Sequence, residues 1–196
     1  ISAWLTSSTL TLGSSAGTQT GVAYCGTPWA ATAANGGKVQ SSGGSPARPY
    51  DLEFFSDSGL TTKLSGWEVV NWSATTGSFE IWSIMADGGS LTGISHTADT
   101  VFYVGYDDAG VGSYQGGSAG AAWDTNFKGV YHLADGTTLS PNDSSSNANN
   151  LTNVNTVAAA AGQIDGAGSF TAASSQYLHK TAALTTAVDN VSLSAW

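Results

Sequence analysis

The chain has 196 residues, room for one large β domain or two smaller ones, and 41% are hydrophobic, enough to bury a core. Only 10% are charged, against roughly 25% in ordinary soluble domains. The net charge is −9 with five Lys and Arg spread singly, so no basic patch exists; this argues against nucleic-acid binding and against attraction to an anionic membrane.

Polarity comes instead from Ser, Thr, Asn and 25 Gly, the chemistry of turns and strands. Surfaces of this kind are common on extracellular and virion proteins. An acidic chain of this type suits Ca²⁺, or uncharged sugars met by Trp and Tyr. The single cysteine, Cys25, leaves no internal disulfide and reads as a small buried thiol in GVAYCGTPW. No stretch approaches the ~20 apolar residues of a membrane span, so no membrane insertion is expected.

Helical periodicity is nearly absent. In chain order, strands are predicted over 3–12, 20–25, 50–56, 66–72, 78–85, 100–106, 127–133, 167–172, 176–180 and 191–196, each bounded by Gly, Asp, Asn or Ser. Short strands at such spacing predict an all-β, antiparallel β-sandwich or jelly roll with little or no helix. In SFEIWSIM, Phe79, Ile81, Ile84 and Met85 alternate against Ser78, Glu80 and Ser83, which puts Trp82 on the polar face. TVFYVGY is continuously apolar and reads as a central strand covered on both faces. The run TVAAAAGQ (156–163) holds helix formers between Asn and Gly and reads as a loop or a single turn. The Gly/Ser-rich stretch 105–123 has no apolar period and reads as a linker or long loop. It divides the chain into a β domain over 1–120 and a second over 121–196. With its first residue Ile1 and its last stretch the strand-like VSLSAW, the chain reads as a piece of a longer protein.

Several motifs carry candidate chemistry. The polar tract after GVYHL offers oxygen ligands at Asp135, Asp143, Asn147 and Asn149, which suit Ca²⁺, with Asp135 and Asp143 as the carboxylates. Its spacing is not that of an EF-hand. The same Asn, Asp and Ser residues equally make turns through their own backbone bonds. Trp72 and Trp82, on the polar sides of their strands, are the candidates for stacking on a sugar ring; core packing accounts for most other Trp. G-x-S-x-G occurs at 13–17 and 116–120 without a following helix, so neither reads as a nucleophile elbow. Glu53, Glu68 and Glu80 sit singly on three predicted strands, Glu53 and Glu80 at outward positions, without the carboxylate pair of a glycosidase. No enzyme is expected. His96, His132 and His179 are far apart in sequence and do not form a zinc motif. Four N-x-[ST] triplets begin at Asn71, Asn142, Asn150 and Asn190, and they matter only in a eukaryotic secretory route.

The residues of the second half carry a family resemblance. His132-Leu133, the polar loop Asp143 to Asn149, Gly162 to Phe170, Tyr177, and Ser192 to Trp196 occur in an order similar to the opening of a laminin-G-like, concanavalin A-like jelly roll. The likeness covers residues 123–196, only the opening part of such a domain. It implies a jelly-roll fold, with a Ca²⁺ ion often held on the sandwich rim. Upstream, ANGGKVQSSGG, YDLEFFSDSGLTTKL, EVVNW, SFEIWSIM and TVFYVGY resemble a β domain of unknown function that often precedes such jelly rolls in secreted bacterial, archaeal and phage proteins. The expected function is therefore non-catalytic: adhesion, or recognition of a glycan or cell-surface receptor, by an extracellular, cell-surface or virion protein such as a phage fibre or bacterial adhesin. A purely structural protein that contacts other protein subunits is the alternative, and a carbohydrate-targeting module of a secreted hydrolase is a third.

Overall fold

A computed structural model of the chain describes residues 6–12, 19–20, 37–44, 46–75, 77, 79–95, 97–117, 120–133, 139–162, 166–184, 192–193 and 195. The described residues are strand-rich and all-β, and every strand pairing is antiparallel. One 3-10 turn, Ala172–Ser174, is the only helical element among them. The chain separates into two compact units, Ile1–Gly117 and Ser118–Trp196.

The described residues of unit 1 hold eight strands: β1 (Thr6–Leu12), β2 (Gln19–Thr20), β3 (Ser42–Gly43), β4 (Arg48–Pro49), β5 (Glu53–Phe55), β6 (Gly66–Trp72), β7 (Phe79–Ile84) and β8 (Thr100–Tyr106). Four make one sheet in the order β2-β1-β8-β5, while β3–β4 and β6–β7 form two-stranded sheets. The apolar run TVFYVGY is β8, and it lies between β1 and β5. It is central in the sheet, but the expected cover on both faces is incomplete: Thr100, Phe102 and Val104 are buried, while Val101 and Tyr103 on the other face are half-buried.

The core of unit 1 gathers Val39, Leu52, Phe54, Leu64, Trp67, Val69, Phe102, Val104 and Tyr106. Phe54 is at its centre. Its ring meets Trp67 edge-on at 5.6 Å and lies 6.3 Å from both Phe79 and Phe102. β6 shifts register between Val69 and Asn71, a bulge. Tyr114 fills the hydrogen bonding there: the Val69 N–H donates to its hydroxyl at 3.0 Å, and the hydroxyl donates to Trp67 O at 3.1 Å. The Arg48 guanidinium covers the Tyr114 ring at 4.9 Å. Tyr114→Phe is expected to destabilise the unit by about 1 kcal/mol, read as a lowered denaturation midpoint at unchanged slope, because a half-buried amide loses its acceptor. Beside it, Gly116 has no room for a Cβ, which would overlap the Tyr114 hydroxyl and Trp67 O. Close backbone approach therefore explains the first glycine of GGSAG.

Unit 2 holds β9 (Thr152–Val154), β10 (Ala158–Ala161), β11 (Gly166–Ser169) and β12 (Tyr177–His179), paired as β9–β12 and β10–β11. Its described residues bury few apolar side chains, chiefly Ala122, Leu139 and Val157. Side-chain amides tie it together instead. Asn153 Oδ1 accepts from the Val157 N–H at 2.8 Å, and its amide donates back to Val157 O at 3.1 Å. Gln176 Nε2 donates to Asn155 O and Thr156 O, and its Oε1 accepts from the Thr171 N–H at 2.7 Å. Asn155 and Thr156 both take positive φ, the tight turn that these bonds hold.

Three sequence expectations are corrected. Residues 127–133 form no strand; their backbone groups bond with the polar tract instead, as described below. The alanine run is strand β10, paired with the small residues of β11, not a loop or helical turn. Four alanines cannot recover the cost of helix nucleation, and a hairpin partner with no bulky side chains lies a few residues away. Ser192, Leu193 and Ala195 belong to no strand. The expected segments 3–5 and 21–25, together with Cys25, fall outside the described residues.

Candidate functional site

The strand β5 is short, and all three of its residues are buried. Alternation sends Phe54 into the core and turns Glu53 and Phe55 to the opposite face. That face is covered by two loops. The first, 56–62, returns the chain so that Lys63 bridges back to Phe55. Asp57 builds it. Its carboxylate accepts from the Thr62 N–H at 2.6 Å and from the Thr61 N–H and hydroxyl. Slight burial pushes its pKa up, but these hydrogen bonds outweigh it and hold the group below the usual carboxylate value. Leu60 completes the turn at φ 53°.

The second loop follows β8. Asp108 Oδ1 accepts from the Gly110 N–H at 2.8 Å, and the Val111 N–H donates to Asp108 O. The loop is anchored to the segment 38–41: the Ser41 hydroxyl donates to Val111 O at 2.6 Å, and the Gln40 amide donates to Asp107 at 2.6 Å. That segment is in turn held by buried Asp51, which accepts from the Gln40 and Ser41 N–H groups at 2.6 and 2.9 Å.

Between the two loops lies a cavity of about 440 Å³, lined by Glu53, Phe55, Leu60, Thr61, Lys63 and the stretch from Gly110 to Ser113, with Gln115. Its size falls within the range that holds small ligands. The Glu53 side chain is 1% exposed. Glu53 Oε2 pairs with Lys63 Nζ at 2.6 Å. Lys63 Nζ also donates to Gln115 Oε1 at 3.2 Å, and Gln115 Nε2 donates to Ser113 O at 2.8 Å. A polar chain thus crosses the cavity wall: carboxylate, ammonium, amide, serine. Glu53 Oε1 has no hydrogen-bond partner among the described residues, and neither has Asp108 Oδ2. Burial pushes the Glu53 pKa up, Lys63 pulls it back, and the nearby Asp108 and Asp51 add to the rise, so it ends above the usual carboxylate value. An ionised carboxylate in this place costs folding free energy.

Glu53, expected at an outward position, is instead buried. The signal was Phe55, an apolar residue that shares Glu53's face of the strand. It marks that face as covered, although nothing local says by what.

The polar tract has a different outcome. Asp143 is buried, with 9% exposure, and every acceptor position of its carboxylate meets a donor of the chain. Oδ1 accepts from the Val130 and Ser145 N–H groups, both at 2.8 Å; Oδ2 accepts from the Ser145 hydroxyl at 2.8 Å and the Asn149 N–H at 2.7 Å. Burial pushes its pKa up, but these bonds outweigh it and hold the carboxyl below the usual range. The Asn147 and Asn149 amides donate to Phe127 O and Lys128 O, both at 2.8 Å. The structure therefore brings Asp143, Asn147 and Asn149 together as a hydrogen-bonded hub beneath 127–131. Asp135 lies outside the described residues. Among those described, no group of three or more His, Cys, Asp or Glu is placed to hold a metal ion.

Neither tryptophan singled out for stacking lines the cavity. Trp72 is half-buried against the core of unit 1, and its indole N–H donates to Ser42 Oγ at 2.9 Å. Trp82 is half-buried on β7, opposite Glu68. Among the described residues of unit 2 the exposed large aromatic groups are Phe127, Phe170 and Tyr177, the last with its ring 5.5 Å from that of His179. Comparison with family models, with curated proteins and with solved structures found no match to this chain.

Proposed function

We propose that this chain is a non-catalytic recognition module of an extracellular, cell-surface or virion protein, and that it binds a glycan or other surface receptor. The observation that carries the reading is the cavity beside β5. Its wall holds a buried carboxylate with one oxygen lacking a hydrogen-bond partner, an ammonium and an amide, on a sheet and two anchored loops. A site on elements fixed by their own hydrogen bonds is pre-organised, which lowers the cost of binding. The low charge of the chain and its net −9 fit a surface that avoids nucleic acid. The order of motifs that resembles a laminin-G-like domain agrees with adhesion.

The test is a screen of the purified chain on an array of neutral and charged glycans. Saturable binding to one sugar class supports the reading. Absence of binding by folded protein overturns it and favours assembly. That second reading has its own support, in the exposure of Phe127 at 45%, Phe170 at 53%, Tyr177 at 51% and Leu193 at 92% in unit 2. Apolar groups so exposed suit contact with other protein subunits. Sedimentation at rising concentration separates the two: the recognition module remains a monomer without ligand, while an assembly protein self-associates.

A further inference from the structure

We infer that Lys63 and Gln115 condense to an intramolecular isopeptide bond, with Glu53 as the acid–base group that carries protons between them. This goes beyond the recognition reading and does not rest on it.

An amine, a carboxamide and a buried carboxylate meet at one point. Lys63 Nζ lies 2.6 Å from Glu53 Oε2 and 3.2 Å from Gln115 Oε1. The nitrogen is thus hydrogen-bonded to the carbonyl oxygen of the group it attacks. Both partners are pinned by their backbones. Lys63 bridges to Phe55, and Gly116 O, next to Gln115, accepts from the Trp67 N–H at 3.2 Å. The Gln115 nitrogen is held apart from its oxygen's partner: Nε2 donates to Ser113 O at 2.8 Å and to Ser113 Oγ at 3.3 Å. Holding two reactants in this way makes a bimolecular reaction effectively unimolecular.

A lysine amine attacks only when neutral, so it needs a base beside it. Glu53 touches the attacking nitrogen and both of its oxygens are buried. Burial raises its affinity for a proton, Lys63 opposes the rise, and Asp108 and Asp51 add to it. The step balances without any oxidant or co-reactant. Lys63 Nζ passes one proton to Glu53 and attacks Gln115 Cδ. Glu53 then protonates Nε2, the Cδ–Nε2 bond breaks, and ammonia leaves. Glu53 takes up a second proton from Nζ. An amide with one N–H, a protonated Glu53 and free ammonia remain. A neutral carboxyl is the form that burial favours. The Lys63 side chain is exposed and lines the cavity with Thr61, Ser113 and Gln115, which gives the ammonia a way out.

The bond joins positions 52 apart, in a chain whose single cysteine allows no internal disulfide. A cross-link of that span restricts the unfolded chain and so raises the melting temperature. Protein that has not condensed carries the Glu53–Lys63 ion pair and the pH dependence that goes with it.

Intact mass spectrometry of the whole chain, freshly folded and after prolonged incubation at neutral pH, tests the inference. Condensed protein is expected to be lighter by one ammonia. Trypsin should no longer cut after Lys63, and a chymotryptic digest should yield one branched species that holds Lys63 and Gln115. Gln115→Ala, which truncates a half-buried side chain outside the core cluster, should keep its full mass and melt below the condensed wild type. Glu53→Met should also keep its full mass. Folded wild-type chain that retains its full mass throughout overturns the inference. A loss of one ammonia that persists in Gln115→Ala overturns it too, because the loss then arises elsewhere, as when an Asn closes to a succinimide. Condensation at an undiminished rate in folded Glu53→Met overturns the role of Glu53. Should Glu53→Met unfold, wild type and Gln115→Ala decide. None of these readouts depends on glycan binding, so the recognition reading stands or falls apart from them.

Discussion

Lys63→Met is expected to destabilise unit 1 by about 2–3 kcal/mol at pH 7. Breaking a fully buried ion pair from one side costs about 3–5 kcal/mol, because a buried charge is left alone. The figure is reduced here because the Lys63 side chain is 44% exposed, so solvent screens part of the pair. The carboxylate left behind is fully buried and close to Asp51 and Asp108. The pH dependence has a definite sign. Glu53 has a raised pKa in the folded chain, so its contribution to stability is present below the unfolded value of about 4.3 and is lost as the pH rises through the folded one. Removing Lys63 raises that folded value further. The gap between wild type and Lys63→Met should be wide at pH 7 and shrink towards pH 4. The double variant Glu53→Gln, Lys63→Met should recover most of the loss at pH 7. Urea titrations at the two pH values measure both effects; a gap that stays constant with pH would exclude the buried charge as its cause.

Asp143→Ala should be at least as damaging to unit 2, by about 3 kcal/mol, since three backbone N–H groups and one hydroxyl lose a charged acceptor together. Because Asp143 has a lowered pKa in the folded chain, its stabilisation is complete above the unfolded value of about 3.9 and disappears as the pH falls through the folded one. The difference between wild type and variant should therefore narrow in acid, opposite to the trend for Lys63→Met. The same measurement weighs the calcium expectation. With all four acceptor positions occupied by the chain, wild-type stability should be equal in millimolar Ca²⁺ and in chelator. A melting temperature that rises with Ca²⁺ and loses that rise in Asp143→Ala would show that the ion competes successfully for these oxygens.

Strand content was legible where a strand's own residues state its environment. GWEVVNW and TVFYVGY begin and end in the structure at the residues expected for them, 66–72 and 100–106. In each, aromatic and β-branched residues fill the run and turn residues bound it. Legibility failed where the partner of a segment is a side chain. FKGVYHL has the composition of a strand, but the side-chain partners of its backbone are the carboxylate and amides of the tract that follows. No pattern of alternation records that. It failed again at Glu53, where Leu52 and Phe54 were enough to orient the strand but one of the two loops that cover its other face lies more than fifty residues later. The polar tract posed a choice between turn and ligand site that composition could not make, because the same oxygens serve either purpose. Distances to named donors gave Asp143 a role in the turn.

The amide stitching of unit 2 also governs how its stability varies with temperature. Unfolding raises the heat capacity in proportion to the apolar surface exposed, while exposure of polar groups lowers it. The described part of unit 2 buries Ala122, Leu139 and Val157 beside Asp143 and Ser145, whereas unit 1 buries a cluster of aromatic rings. Unit 2 should therefore unfold with the smaller heat-capacity increment per residue. Its free-energy curve is flatter, and it loses less on cooling than unit 1 does.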